Sequence, residues 1–198
     1  MHLNLPNLPE ASIPEISVLL SLVKSAQKET YEHELKVGAI TKAMLNTFPN
    51  YSEEEKEEIV KGALLHDVGK IYVPFNLTQS PDRLTRVERD IVKTHPLSSY
   101  EFLKDNFGEI VCDIAIQHHE CIDGSGYPYG LYQGAIRDYS LLVQCADIYE
   151  ALVSKRSYKE PLAYDKALEA MASMPLYRPY YNLLKETVLQ DPSFQGGD

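Results

Sequence analysis

The sequence has few cysteines and no long apolar run, and both absences narrow the class of protein. Its 198 residues include three cysteines and no C-x-x-C pair, so we expect reduced thiols packed as small core residues, not a disulfide framework. No stretch approaches the roughly 18 uninterrupted apolar residues of a membrane span, and the N-terminus lacks the apolar run of a secretion signal. We therefore expect a cytoplasmic protein that does not enter a membrane.

Positive charge is also scarce. The chain has 19 Lys and Arg against 29 Asp and Glu, a formal net charge of −10. A DNA or RNA polymer is therefore a poor partner, because such binding is driven by Lys and Arg that release counterions from phosphates. A small anion could still bind where cations are concentrated, and a bound metal is the most compact way to concentrate them. The composition, 44% hydrophobic and 24% charged, is typical of a globular domain.

Helical periodicity recurs along the chain, whereas convincing alternating strands do not, so the predicted fold is all-α. Serines followed three residues later by glutamate, at Ser12 and Ser52, mark two helix starts. Residues 71–83 and 121–137 are predicted to be irregular, and long loops in compact domains are usually functional or mobile. The predicted helices lie near residues 13–28, 30–48, 52–66, 85–92, 97–106, 109–120, 139–153, 162–173 and 179–189.

Five of the six histidines fall near ends of predicted helices or beside breaks: His33, His66, His95, His118 and His119. Taken singly, each is more often a core or surface residue than a ligand. Two adjacent polar pairs, His66-Asp67 and His118-His119, stand in otherwise apolar helices. An imidazole or a carboxylate is costly to bury there unless a partner is supplied. A shared metal would supply that partner.

Acidic residues complete this hypothesis. Neutral imidazole suits iron, manganese and zinc, and a carboxylate can bridge two ions about 3.5 to 4 Å apart. Asp67 is the candidate bridge. Asp147 ends an apolar helical stretch, although it could also be a solvent-facing helix residue. Glu29 and His33 lie four residues apart and share one helical face, but Glu29 could equally be an exposed acid.

Two segments carry a longer pattern: His66-Asp67-Val68-Gly69-Lys70 and His118-His119-Glu120-Cys121-Ile122-Asp123-Gly124-Ser125-Gly126-Tyr127-Pro128. The pattern resembles the HD-GYP subgroup of the HD-domain phosphohydrolases, which are bacterial phosphodiesterases that degrade cyclic di-GMP. The likeness includes His95-Pro96 and Asp147 and covers roughly residues 29–165. The resemblance implies a helical bundle of the HD-domain phosphohydrolase type, with a buried multi-metal site.

The resemblance also implies roles for individual residues. Asp67 and Lys70 would be catalytic, and two or three divalent ions, iron or manganese, would be bound, the third through Glu29. The implied metal ligands are Glu29, His33, His66, Asp67, His95, His118, His119 and Asp147. The implied substrate contacts are Lys70, Glu150, Arg156 and Lys159. The loop that contains Gly126-Tyr127-Pro128 gives the subgroup its name, and we call it the named loop. The residues expected to organise it are Asp123, Gly124, Gly126, Tyr127 and Pro128, with a stacking role of Tyr127 toward guanine left open.

The chain departs from the family pattern at two positions near the substrate. Ser157 stands where the family usually has proline, and Glu150 where it usually has aspartate, so we expect altered substrate affinity more than altered metal binding. Residues 1–28 are expected to form an N-terminal helical extension, 29–175 the catalytic domain, and 176–198 a C-terminal helix and tail. The aromatic cluster at 177–181 is expected to be core or a contact patch.

The implied reaction is attack of a metal-bridging hydroxide on cyclic di-GMP, giving pGpG, with further cleavage to GMP left open. Three alternatives remain at this point: another HD-type nucleotide phosphohydrolase, a cyclic-dinucleotide sensor without turnover, and a purely structural bundle. The last leaves the histidine pairs unexplained. The choice between cyclic di-GMP and cyclic GMP-AMP, and the presence of a homodimer or a regulatory protein partner, also stay open.

Overall fold

A computed structural model of the chain describes residues 13–80, 82–156 and 160–195. Its regular elements are helical, which confirms the predicted all-α fold, and Asp123 and Tyr132 form an isolated β-bridge. Within the described ranges the α-helices are α1 Ile13–Ala26, α2 Lys28–Thr47, α3 Glu53–Leu65, α4 Phe75–Thr78, α5 Arg86–Val92, α6 His95–Leu103, α7 Glu109–Gln117, α8 Asp138–Val153, α9 Tyr164–Met171 and α10 Arg178–Gln190. Short 3-10 turns occupy Val68–Tyr72, Gln133–Ala135 and Pro192–Phe194.

Side-chain caps fix the starts of two helices that matter for the site. At α3 the Ser52 hydroxyl accepts from the Glu55 N–H at 3.2 Å, and the Glu55 carboxylate accepts from the Ser52 N–H at 2.8 Å. Thr85 and Glu88 form the same reciprocal pair at α5. Each cap stabilises its helix by about 1 kcal/mol. The similar pattern predicted at Ser12 lies outside the described residues.

The core is centred on α2, α3 and α8. Helix α2 packs on α3 and α8, and α3 also packs on α7. The approach of α2 to α3 depends on Gly38, because a Cβ there would lie 2.5 Å from a methyl carbon of Leu64. From α1, Ile16, Leu20 and Val23 are fully buried in the same core. These contacts place the C-terminal end of α3 directly beside α2.

The C-terminal aromatic cluster contributes to this core. Tyr180 and Tyr181 are buried, and the Tyr180 ring meets Phe48 edge-on at 5.6 Å. All three cysteines are unpaired, with two of them buried and Cys121 half-buried. None of the described helices combines the length and hydropathy needed to cross a bilayer.

Three differences from the predicted elements bear on the site. The segment 71–83 is not wholly irregular, because α4 forms directly after Pro74, which occupies the N-cap position where its missing N–H costs nothing. Helix α6 begins at His95, with Pro96 in its first turn. Helix α7 ends at Gln117, not near residue 120. The last two shifts place His95, His118 and His119 at helix ends, where their side chains can converge.

Candidate metal centre

Seven of the eight predicted ligands meet in the interior, in two adjoining groups. The first consists of Asp67, His95, His118 and His119, and the second of His33, His66 and Asp147; within each group the ligand atoms lie within 4.8 Å of one another. The Asp67 carboxylate reaches both groups, with Oδ1 3.0 Å from His95 Nε2 and Oδ2 3.7 Å from His33 Nε2. This geometry favours Asp67 as the residue that would join two ions.

Helix ends supply most of these donors. His66 and Asp67 directly follow α3, His95 opens α6, and His118 and His119 directly follow α7, while His33 and Asp147 come from the interiors of α2 and α8. The packing of α2 against α3 and α8 therefore brings together residues that are more than a hundred positions apart in the sequence. The six residues His33, His66, Asp67, His95, His118 and Asp147 are each at most 5% exposed.

Backbone carbonyls orient three of the imidazoles. A carbonyl oxygen can only accept, so each ring must carry its proton on Nδ1, which leaves Nε2 as a lone-pair donor directed at the centre. The bonds are His66 Nδ1 to Ala63 O at 2.8 Å, His95 Nδ1 to Val92 O at 2.7 Å, and His118 Nδ1 to Ala115 O at 3.0 Å.

The resulting arrangement fits a divalent metal. His95 Nε2 lies 3.0 Å from Asp67 Oδ1 and 3.3 Å from His118 Nε2, so lone pairs face one another without a proton between them. Among the described residues, His66 Nε2 and Asp67 Oδ1 are buried with no hydrogen-bond partner. A cation placed among these atoms would remove the conflict, and a mixed imidazole and carboxylate set suits transition metals.

At His95, His119 and Asp67 the electrostatics favour the protonation states that a metal requires. Burial lowers the pKa of His95 to about 4. Burial, together with the neighbouring His118 and His95, lowers the pKa of His119 well below its usual value. Burial alone would raise the pKa of Asp67, but the nearby Lys70 ammonium opposes it, and the balance holds that pKa well below its usual range. These two imidazoles are therefore neutral near pH 7 and the Asp67 carboxylate is ionised.

Glu150 orients the fourth imidazole, that of His33. Its carboxylate is 2% exposed and contacts His33 Nδ1, and it also accepts from the Arg156 guanidinium at 2.9 Å. Burial alone would raise the pKa of Glu150, but the hydrogen bond to His33 and the charges of His33 and Arg156 lower it to about 2. The structure therefore places this predicted substrate contact against a candidate ligand and a cation.

Lys70 and Arg156 lie beside the donor groups, at the wall of a cleft of about 280 Å³. The Lys70 ammonium contacts Asp67 Oδ2. The predicted third-metal ligand, Glu29, lies on the same wall, and Leu77 and Leu84 face it from the segment around α4. The remaining predicted substrate contact, Lys159, lies outside the described residues.

The named loop is closed by short hydrogen bonds and close approaches. Asp123 Oδ1 accepts from the N–H and the hydroxyl of Ser125 at 3.0 and 2.6 Å. Gly124 has a φ of +78°, a conformation that side chains rarely adopt. A Cβ at Gly126 would lie 2.3 Å from the Cys121 nitrogen. These contacts support the predicted loop-organising roles.

Tyr127 connects this loop to the metal centre. Its N–H donates to the His119 carbonyl at 3.1 Å, and its ring packs on the His119 ring with centroids 4.7 Å apart. The Lys93 ammonium lies 5.0 Å from the Tyr127 ring centroid, and a cis peptide bond links Tyr127 to Pro128. The aromatic ring thus lies against two candidate ligands, His119 and His95, and one cation.

Two buried carboxylates near the centre have no role in the sequence analysis. Glu120 accepts from the Tyr129 and Leu131 N–H groups at 2.7 and 2.8 Å and so folds the loop back beside His119. Glu34 is fully buried, and neither carboxylate oxygen has a hydrogen-bond partner among the described residues. Burial and Asp67 raise its pKa well above the usual value. Glu34 lies three residues before the buried Val37, on the apolar stripe of α2, and this position is the sequence feature that indicates its burial.

Comparisons with known proteins agree with this geometry. A profile of the HD domain family matches residues 17–180. The chain is 43% identical over 120 residues to the cyclic di-GMP phosphodiesterase response regulator RpfG of Xanthomonas campestris, covering 59% of this chain and 32% of that protein. It is 30% identical over 177 residues to the 3'3'-cGAMP-specific phosphodiesterase 1 of Vibrio cholerae, covering 85% of this chain and 41% of that protein. The chain thus spans less than half the length of either relative.

A solved structure shows the same fold. Bd1817, an HDG"Y"P protein from Bdellovibrio bacteriovorus, has a TM-score of 0.69 to this chain at 21% sequence identity. The match covers 92% of this chain and 62% of that one. At this level of identity the likeness concerns the arrangement of the helices.

Proposed function

The chain belongs to the HD domain family, in its HD-GYP subgroup, and from this membership we propose that it is a metal-dependent phosphodiesterase that hydrolyses cyclic di-GMP to pGpG. The observation that carries the proposal is the Asp67 carboxylate, which lies between two groups of metal-donor atoms and beside the Lys70 ammonium. A metal centre next to a cationic side chain is an arrangement suited to phosphoryl transfer.

His33, His66 and Asp147 would hold one ion, and His95, His118 and His119 a second, with Asp67 shared between them. When bound, the ions, iron or manganese, would supply Lewis acidity for activating water and for offsetting the negative charge of the phosphate. Glu29 would serve a third ion at the cleft wall. The buried position of the donors supports this assignment, because water competes poorly for ligands in a desolvated site.

The chain's own cations would bind the phosphate. The Lys70 side chain is 19% exposed and the Arg156 side chain 13% exposed, so both ends are accessible from the cleft while their stems are packed. An ammonium is a flexible point charge for a phosphate oxygen, and a guanidinium can bind two oxygens at once. This local concentration of positive charge would allow an anion to bind to a protein of net charge −10. The sequence resemblance assigns a further phosphate contact to Lys159.

A second candidate substrate is 3',3'-cyclic GMP-AMP. The supporting observation is the similarity, over 85% of this chain, to a relative named for that dinucleotide. The sensor alternative, binding without turnover, is disfavoured because all seven interior donors are present and grouped. Pure binding would not require them.

The test is a product assay on metal-verified protein. Purified protein is loaded anaerobically with iron(II) or with manganese(II), its ion content is measured by mass spectrometry, and it is incubated with cyclic di-GMP, with 3',3'-cyclic GMP-AMP and with pGpG. We expect linear dinucleotide from the cyclic substrates, and GMP if the third ion also functions. Intact substrates in the presence of both ions would reject the proposal, and tight binding without product would support a sensor.

A further inference from the structure

Gln27 is a buried polar residue at the junction of α1 and α2. It is 2% exposed, and both ends of its carboxamide are engaged. The Nε2 group contacts the Lys70 carbonyl oxygen and lies 3.3 Å from the Val73 carbonyl oxygen. The Oε1 atom accepts from the Thr30 hydroxyl at 3.1 Å. Gln27 therefore links the start of α2 to a backbone segment 43 residues further along the chain.

The segment that Gln27 contacts is the 3-10 turn Val68–Tyr72, which carries Lys70. Within this turn the Lys70 N–H donates to the Asp67 carbonyl at 2.9 Å, and the Lys70 carbonyl accepts from the Val73 N–H at 3.0 Å. On another side, the Gly69 N–H donates to the Ser99 hydroxyl at 2.8 Å. The turn is thus held by α6 through Ser99 and by the α1–α2 junction through Gln27.

We propose that Gln27 is a positioning residue for Lys70: its carboxamide fixes the Lys70 backbone and so places the ammonium beside Asp67 and the cleft. The inference rests on the proposed function for the reaction that Lys70 serves. It extends the working site to a residue outside the motifs that carry the family resemblance.

The chemistry of the contact requires an amide. Two carbonyl oxygens and one hydroxyl must be satisfied together, and a carboxamide offers two N–H groups and one acceptor oxygen on a single side chain. A methionine would remove the donor that the two carbonyls share, which leaves the Lys70 carbonyl with the Val73 N–H alone and the buried Val73 carbonyl without the amide. A glutamate of the same shape would direct carboxylate oxygens at them. Either change is expected to release the turn while leaving the seven interior donors untouched.

The first measurement compares Gln27→Met and Gln27→Glu with wild type on cyclic di-GMP. We expect kcat to fall roughly 10- to 100-fold, the cost of misplacing a catalytic group by about 1 Å, with metal content unchanged. Ser25→Ala is the matched control, because among the described residues its exposed hydroxyl bonds to the Leu22 carbonyl of the same helix, and it should behave as wild type. Folded Gln27 variants with wild-type kcat would overturn the proposal.

A double-mutant cycle separates positioning from general destabilisation. In a Lys70→Ala background the Gln27→Met change should alter kcat by less than about twofold, because the group that it positions is gone. If the full loss persists in that background, Gln27 acts by another route and the proposal fails.

Hydrogen–deuterium exchange of the metal-loaded protein gives a readout independent of turnover. Amides of residues 68–73 should exchange faster in Gln27→Met than in wild type or Ser25→Ala, and unchanged exchange would overturn the proposal. If Gln27→Met does not fold, the isosteric Gln27→Glu carries the same test. If wild-type protein leaves cyclic di-GMP intact, the proposed function fails, while the exchange measurement still decides whether Gln27 holds the Lys70 turn.

Discussion

The donor groups and the cleft beside them are built differently. The donors lie at helix ends or inside α2 and α8, and backbone carbonyls fix three of the imidazoles. The facing wall of the cleft comes from the segment around α4 and α5, and α5 has no buried residue. The cations at the cleft are long side chains attached to turns or helix ends. Helix packing therefore sets the metal centre, whereas individual side-chain contacts set how a substrate would be held.

This difference predicts two separable kinds of mutant. Changes among the interior donors should remove metal and activity together, because the same atoms serve both. Changes at the cleft should leave metal bound and weaken the reaction alone. The predictions below test that separation.

Replacing the shared carboxylate should have the largest effect. In Asp67→Ala both donor groups lose a ligand, so we expect ion content to fall below one per chain and turnover to drop by more than roughly 10³-fold, since even a side chain that only orients a ligand is worth about 10- to 100-fold. Ion content is measured by mass spectrometry alongside the product assay. Full activity in this variant would show that Asp67 does not join the two groups.

Removing the Lys70 ammonium should produce the opposite pattern. Lys70→Ala is expected to keep wild-type metal content and to lower kcat/KM by about 10²- to 10³-fold, the typical cost of losing one group that stabilises transition-state charge. Lys104→Ala, at a surface residue that pairs with Glu101 of α6, is the control for the loss of one positive charge away from the centre. A loss of metal in Lys70→Ala would contradict the claim that changes at the cleft leave the metal centre intact.

Acid should destabilise the metal-free centre over a defined range. The folded protein holds the pKa of His95 at about 4, against 6.5 for an ordinary histidine, so between these values the unfolded chain binds a proton that the folded protein does not. The free energy of unfolding should be highest above pH 6.5 and fall by up to about 3 kcal/mol as the pH decreases toward 4. Urea denaturation at several pH values measures this, and His95→Gln should flatten the curve. A free energy of unfolding that rises on acidification would contradict the assignment.

Glu150→Gln tests where the boundary between the two regions lies. A neutral amide is a weaker acceptor for His33 Nδ1, so metal affinity should fall by about tenfold, as measured by competition with a chelator. Ser154→Ala removes a neighbouring contact of Glu150 without touching His33 and should change metal affinity less. Unchanged metal affinity with weakened substrate binding would instead show that Glu150 acts as a substrate contact, the role that the sequence resemblance implies.

The fold and the donor set were accessible from the sequence because their signals are local. Periodic apolar residues and the Ser52 and Thr85 caps mark helices whose formation depends on neighbours in the chain. Adjacent polar pairs such as His118 and His119 stand out in apolar surroundings for the same reason. The packing of the helices then brings these polar pairs together, and the sequence pattern does not have to specify that contact.

The remaining contacts could not be read from the sequence because they join distant segments. Glu150 meets His33 across 117 positions, and Gln27 meets Lys70 across 43, with no periodic pattern to mark either. Helix α4 was missed because Pro74 can start a helix as well as exclude one. The resemblance implies a substrate contact for Glu150, and no local pattern indicates its additional contact with His33.

The most direct test of the central claim is anomalous diffraction from crystals loaded with manganese. The account predicts at least two peaks, of which two lie roughly 3.5 to 4 Å apart on either side of the Asp67 carboxylate, one among His33, His66 and Asp147 and the other among His95, His118 and His119. A single peak, or ions bound away from these side chains, would contradict it.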